Sequence, residues 1–366
     1  MAQKIRYGVV GLGYIAQAAV LPAFSHAGEN SELAALVSDD PAKLKALGRK
    51  YGVSRAYSYA DYDKCLKAGG IDAVYIALPN NMHRDFAVRA ARAGVHVLCE
   101  KPMAVTEEEC ETMLAEARRA KIKLMIAYRL HFEAANMTAV EFARSGRLGD
   151  VRLFSSIFTR QVKAGDIRLQ RRLGGGTLYD IGIYCINASR YLFQAEPLEV
   201  FAYSANDGER RFKEVDEMTC ASLRFPGERL AQFVCSFGAA DVSEYRIVGT
   251  KGELRCEPAY EFKGDLRHAW SVDGEARERT FAARDQFAPE LVYFSDCILN
   301  DEEPEPSGAE GLADVRIVRA LYRSAREGRP IGLDEFDAGR RPGPELEMRR
   351  PPVTPPSMVR AHGPTR

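Results

Sequence analysis

The sequence has no excess of charge of either sign, since 51 Lys and Arg stand against 51 Asp and Glu. No global field therefore draws it to nucleic acid or to an anionic membrane, and it carries no nucleic-acid recognition motif. No stretch approaches the roughly 20 apolar residues that a membrane-crossing helix needs. The eight cysteines (65, 99, 110, 185, 220, 235, 256 and 297) form no Cys-x-x-Cys pair and adjoin no histidine cluster. That argues against a metal centre or a disulfide framework and for reduced, mostly buried thiols. The opening MAQKIRYGVVGLG has neither the charged n-region nor the small-residue cleavage site of a signal peptide, so a cytoplasmic location is expected. Internal repeats are also absent.

What is present is a globular chain of 366 residues, 46% hydrophobic and 28% charged, long enough for two domains. Over the first 125 residues, short apolar runs alternate with helical patterns. Runs at 5–10, 33–38, 73–78, 96–99 and 123–127 read as parallel strands buried on both faces. Thr106-x-x-Glu109 is a capping box that opens a helix to residue 120. Such alternation implies βαβ units and a doubly wound sheet. After about residue 150 the pattern becomes strands joined by short polar turns, at 151–158, 198–203, 218–225, 230–237, 244–248 and 252–256. These point to a large, mostly antiparallel sheet, followed by helices at 287–299 and 308–327. From Gly339 the chain is rich in Pro and Arg, which predicts an extended or mobile tail with little to bury. The expected fold is an α/β Rossmann doubly wound parallel sheet over residues 1–128. It is joined to an α+β domain with a large open sheet over 129–335, and a tail over 336–366.

Gly11-Leu12-Gly13-Tyr14-Ile15-Ala16 follows the first strand and opens a helix. Glycines there let the backbone turn and approach a pyrophosphate, and the helix N-terminus offers unpaired N–H groups. The end of the second strand addresses the ribose. A carboxylate at that place accepts from the 2′-hydroxyl of NAD, whereas this strand ends in Ser38 with Lys43 five residues on. A hydroxyl and an ammonium suit a 2′-phosphate, so NADP is expected over NAD, although Asp39 and Asp40 count against it unless they point elsewhere.

Three further motifs narrow the reading: Cys99-Glu100-Lys101-Pro102, preceded by Leu78-Pro79-Asn80 and His83; Gly174-Gly175-Gly176 with Asp180-x-Gly182-x-Tyr184; and Arg246-Ile247-Val248-Gly249. Together they resemble the glucose–fructose oxidoreductase, inositol dehydrogenase and rhizopine-catabolism family over roughly residues 3 to 335. Tyr184 stands where most members have histidine, which is similar to the branch of glucose–fructose oxidoreductase, aldose oxidoreductases and dihydrodiol dehydrogenases. The resemblance implies Gly11, Gly13, Tyr14, Ile15, Ser38, Lys43, Leu78, Pro79, Asn80, His83, Glu100, Lys101 and Arg129 as cofactor contacts. It also implies Arg168, Asp180 and Tyr184 at the substrate.

Hydride transfer from a sugar carbon also moves one hydroxyl proton. Tyr184 is the candidate acid/base, Lys101 the cation that would favour its phenolate, and Asp180 the group that orients the lysine or the sugar. Arg129 could instead make a domain-interface salt bridge. The sheet face bearing Leu223, Phe225, Phe233 and Cys235 is expected to be open in a monomer, which predicts at least a homodimer. The expected activity is NADP-dependent hydride transfer at the anomeric carbon of an aldose, with a retained cofactor and coupled sugar oxidation and reduction. The alternatives are a dihydrodiol or D-xylose dehydrogenase-like enzyme that releases its cofactor, and a catalytically silent nucleotide sensor.

Overall fold

The computed structural model describes residues 3–365, which divide into two compact units. The first holds the chain through Arg129, joined by Arg284–Leu312 and Arg349–Gly363; the second holds Leu130–Ala283, Ala313–Met348 and the residues after Gly363. The expected block of 129–335 is therefore interrupted. The helix Ala288–Leu299 packs with the first unit because a parallel sheet needs cover on both faces. Ser295 meets the Tyr7 hydroxyl at 2.8 Å, and the Asn30 amide donates to the Val292 carbonyl at 2.9 Å.

In the first unit β1 (Ile5–Val10), β2 (Ser31–Val37), β3 (Arg55–Tyr57), β4 (Ala73–Ile76), β5 (His96–Glu100) and β6 (Leu124–Ala127) form one sheet. Its order is β3-β2-β1-β4-β5-β6 and every pairing is parallel. The strand order reverses between β1 and β4, where such sheets bind ligands. β3 escapes sequence reading because three residues carry no periodicity. The capping box forms: Thr106 Oγ1 accepts from Glu109 N–H, and Glu109 Oε2 accepts from Thr106 N–H, both at 3.2 Å.

The second unit is built on a nine-stranded sheet. Its strands are β7 (Val151–Thr159), β8 (Glu199–Ala205), β9 (Met218–Phe225), β10 (Arg229–Ser236), β11 (Val242–Gly249), β12 (Gly252–Cys256), β13 (Leu266–Val272), β14 (Glu275–Phe281) and β15 (Ile331–Gly332). They lie in the order β14-β13-β12-β11-β7-β10-β9-β8-β15, with only β7 and β10 parallel. β14, unexpected from the sequence, exposes six of its seven residues, and its charges blunt the edge.

One expectation is corrected here. Leu223, Phe225, Phe233 and Cys235 are at most 1% exposed. They face the helix Ile183–Phe193 and the turn before it, where Phe193 and Phe225 rings meet at 4.9 Å. The alternation was read rightly but its faces were exchanged, because period two does not say which face a helix covers. The open face instead carries Leu153, Ile157, Tyr203, Leu230 and Val242, each 37–67% exposed.

The tail is extended, but it does not merely dangle. Ala338, Leu346 and Ala361 are buried. In the second unit Arg341 pairs with Glu196 at 2.5 Å, and in the first Arg350 pairs with Glu29. No helix among the described residues is long and apolar enough to cross a membrane.

Candidate active site

In the first unit the glycine turn leaves β1 with Gly11 at φ +92°, and an added Cβ would sit 2.5 Å from the Ala77 carbonyl oxygen. Gly11 therefore serves the turn itself. A Cβ on Gly13 would meet nothing within 4 Å. No neighbouring protein group demands glycine there, which fits close approach of a ligand. Tyr14 and Ile15 begin the helix behind it, whose next turn, Ala16–Val20, is widened into π geometry. These residues fit the pyrophosphate of a dinucleotide.

Ser38 lies just beyond β2, 5% exposed, with its N–H bonded to the Tyr57 carbonyl at 3.0 Å. The two aspartates that follow serve the backbone. Asp39 accepts from the Tyr59 N–H at 2.7 Å. Asp40 caps the helix Pro41–Tyr51 by accepting from Ala42 and Lys43 N–H at 2.9 and 3.2 Å. Their carboxylates are thus engaged, and the sequence-level objection to a 2′-phosphate beside Ser38 and Lys43 weakens.

After β4 the Leu78-Pro79-Asn80 turn leads to His83. This imidazole is fully buried, with Nδ1 2.9 Å from the Pro102 carbonyl and Nε2 2.9 Å from the Leu78 carbonyl. It clasps the Leu78 turn to the Glu100-Lys101-Pro102 turn, and burial holds its pKa below the ordinary histidine value. His83 was expected to touch cofactor; its ring lies between two main-chain carbonyls, one of which accepts from whichever nitrogen carries the proton, so it joins the two loops. Glu100 accepts from the Tyr75 hydroxyl at 2.9 Å, and loss of hydration raises its carboxyl above the usual range. Lys101, half-buried, follows it with a cis peptide to Pro102. Arg129 is 5% exposed and donates to Gln286.

The second unit holds the other predicted group. The triple glycine turns against the Arg168 backbone, where Gly176 N–H donates to the Arg168 carbonyl at 3.0 Å and a Cβ on Gly175 would collide with it. That fold-back brings Arg168 Nε to Asp180 at 2.8 Å, while Arg168 Nη1 reaches Asp166 at 3.3 Å. Burial opposes the Arg168 charge, but the two carboxylates outweigh it and keep the guanidinium protonated. Tyr184, half-buried, opens the helix Ile183–Phe193 after a π-type turn at Leu178–Gly182. Its ring meets Phe158 edge-on at 5.5 Å and Tyr260 at 5.8 Å. Arg160 lies over Phe158 at 5.1 Å and bonds both Glu261 oxygens at 2.7 Å. Burial works against the Arg160 charge; Glu261 and then Asp180 and Tyr184 support it.

Two family models match the chain: an oxidoreductase family with an NAD-binding Rossmann fold over residues 5–128, and the C-terminal domain of the same family over 137–255. The chain belongs to this oxidoreductase family. A D-xylose 1-dehydrogenase (NADP+) of Haloarcula marismortui is 32% identical, covering 90% of this chain and 93% of that relative. Among solved structures, an aldose–aldose oxidoreductase of Caulobacter crescentus complexed with glycerol is 40% identical at a TM-score of 0.86, covering 90% of this chain and 100% of its own. A 3-ketoreductase of Actinomadura kijaniata with NADP and TDP-benzene is 29% identical at 0.80, covering 88% and 98%.

Sequence motifs do not mark Arg160, Tyr260 and Glu261, which gather beside Phe158 and Tyr184. Arg160 sits one residue past β7, and a cation at a strand end was the available signal. Its partners lie about 100 residues away, which no local pattern reveals.

Proposed function

We propose that the chain is an NADP-dependent oxidoreductase that transfers hydride between the anomeric carbon of an aldose and the nicotinamide. Two features of one chain carry the reading. One is a glycine turn open at Gly13 with Ser38 and Lys43 at the ribose position. The other is a half-buried Tyr184 among Phe158, Tyr260, Arg160 and Asp180. Similarity to NADP-dependent xylose dehydrogenases and to an aldose–aldose oxidoreductase supports the same chemistry.

Gly11, Gly13 and the helix start at Tyr14 and Ile15 hold the pyrophosphate, Ser38 and Lys43 the 2′-phosphate, and the Leu78-Pro79-Asn80 turn with Glu100 and Arg129 the remainder. Bound NADP supplies the hydride acceptor. Oxidation of a cyclic aldose takes hydride from C1 and a proton from O1, leaving a lactone. Tyr184 takes that proton as the general base, and Lys101, just past the end of β5, is the other proposed catalytic residue. Asp180, tied to Arg168, orients the sugar hydroxyls rather than exchanging protons. Aromatic walls beside Tyr184 suit the apolar face of a pyranose, and Arg160 its oxygens.

The test is absorbance in the reduced-nicotinamide band of the protein as purified, before and after adding an aldose. Growth of the band without added nucleotide means retained NADP and coupled sugar oxidation and reduction. Growth only when NADP is supplied means a xylose dehydrogenase-like enzyme that releases it, a second reading favoured by the haloarchaeal relatives. No change with either nucleotide and a sugar panel contradicts both.

The exposed row Leu153, Ile157, Leu230, Tyr203 and Val242 supports a homodimer through the open sheet face. Leu153 pairs with Leu230 across β7 and β10, so these residues form a patch rather than scattered points. Light scattering should give about twice the 40.6 kDa chain mass; the chain mass itself at micromolar concentration would contradict this.

A further inference from the structure

The tail segment Arg349–Gly363 belongs to the first unit, and three contacts fix its course there. Val359 is clasped by Gln17, whose amide donates to the Val359 carbonyl at 2.9 Å and accepts from the Val359 N–H at 2.8 Å. Gln17 is 1% exposed and also donates to the Leu12 carbonyl at 2.9 Å. One side chain therefore ties the tail to the glycine turn itself. Farther on, a Cβ on Gly363 would lie 3.5 Å from the Tyr14 ring, so the backbone passes in contact with the start of the fingerprint helix. Between these points Arg360 adopts φ +46°, a left-handed conformation that non-glycine residues adopt only when their surroundings impose it.

The side chain of Arg360 is 69% exposed and reaches Asp40 Oδ1 at 3.5 Å. Asp40 is the residue that caps the helix after Ser38, and its N–H points to Ser38 Oγ at 3.2 Å. A guanidinium has five N–H donors, and the Asp40 contact occupies one of them. The tail thus carries a largely exposed cation to the turn at the end of β2, beside the Asp40 carboxylate.

We propose that Arg360 is a contact for the adenosine 2′-phosphate of NADP, carried to the end of β2 by the C-terminal tail. The inference rests on the NADP reading above. It adds a third group to Ser38 and Lys43, one whose planar fork matches phosphate oxygens. It also explains how a site flanked by Asp40 tolerates a dianion, since Arg360 offsets that charge.

The experiment titrates adenosine 2′,5′-bisphosphate and 5′-AMP into the full-length chain and into Arg360→Ala and Val359→Pro. The second variant removes the Val359 N–H that Gln17 grips and keeps the Arg360 side chain itself. Both should weaken the bisphosphate about tenfold, the scale of one charge-assisted hydrogen bond, and leave 5′-AMP within twofold. If Arg360→Ala binds the bisphosphate as the parent does, or loses both ligands equally, the assignment falls. A Val359→Pro chain with parental affinity overturns the tail's part in placing Arg360. A parent chain that shows no preference for the bisphosphate overturns the NADP reading itself, a distinct result.

Discussion

Around their candidate site residues the two units use polar side chains differently. Around the glycine turn the first unit ties side chains to main chain: Asp39 to Tyr59, Asp40 to Ala42 and Lys43, His83 to Leu78 and Pro102, and Gln17 to Leu12 and Val359. The second unit ties charges to charges, as in Arg168 with Asp166 and Asp180, Arg160 with Glu261, and Arg190 with Asp314 and Glu196. The lesson is one of division of labour. A dinucleotide is a constant ligand, met by backbone that side chains hold in shape. A sugar varies in its hydroxyls, and a network of side chains can be altered one residue at a time without disturbing the sheet beneath.

The sharpest break of that contrast is Asp314→Ala. Arg190 and Asp314 are both fully buried at 2.6 Å, so removing the carboxylate leaves a buried guanidinium with Glu196 as its remaining carboxylate partner. Chemical denaturation should register a loss of about 3–5 kcal/mol. In the first unit Thr106→Ala removes only a helix cap and should cost about 1 kcal/mol. Similar losses from both would remove the distinction.

A second pair of variants tests the assignment of sheet faces. Leu223→Ala, on the covered face, should cost about 2–5 kcal/mol, and Leu230→Ala, half exposed, under roughly 0.5 kcal/mol in a monomer. The reverse order would restore the face assignment expected from the sequence.

The smallest effect is a pH dependence confined to the second unit. Burial, and next the Arg279 charge, push His268 down to about 4, below the unfolded value near 6.5. A group with a depressed folded pKa stabilises above its unfolded pKa and loses that contribution as pH falls toward the folded one. Between pH 6.5 and 4 His268 should therefore cost up to roughly 3 kcal/mol. In His268→Phe, which keeps a ring against Phe281, unfolding free energies should fall less steeply over that window; an unchanged slope would contradict the assignment.

The parallel sheet was legible because strands buried on both faces write continuous apolar runs. The sequence also marked Thr106, Gly11 and Met218–Phe225 where local chemistry repeats a known geometry. What stayed hidden was non-local. β14 is a charged edge strand, the helix Ala288–Leu299 rejoins a sheet some 280 residues upstream through Tyr7 and Ser295, and the Arg- and Pro-rich tail finds partners in Gln17, Glu29 and Glu196. The face of the second sheet was misread for the same reason, since the helix that covers it is separate in sequence. At the site, Asp180 and Tyr184 followed from a motif, whereas Arg160 and Glu261 depend on a pairing that only the folded chain makes.

The central claim is that Tyr184 moves the proton while the first unit holds the nucleotide. Tyr184→Phe keeps the ring against Phe158 and Tyr260 and removes only the hydroxyl. The decisive measurement is the single-turnover rate of nucleotide reduction by an aldose in this variant, alongside its affinity for NADP. The account predicts a rate lower by about 10²–10⁴ with affinity within twofold. A parental rate would contradict it and return the proton to another group.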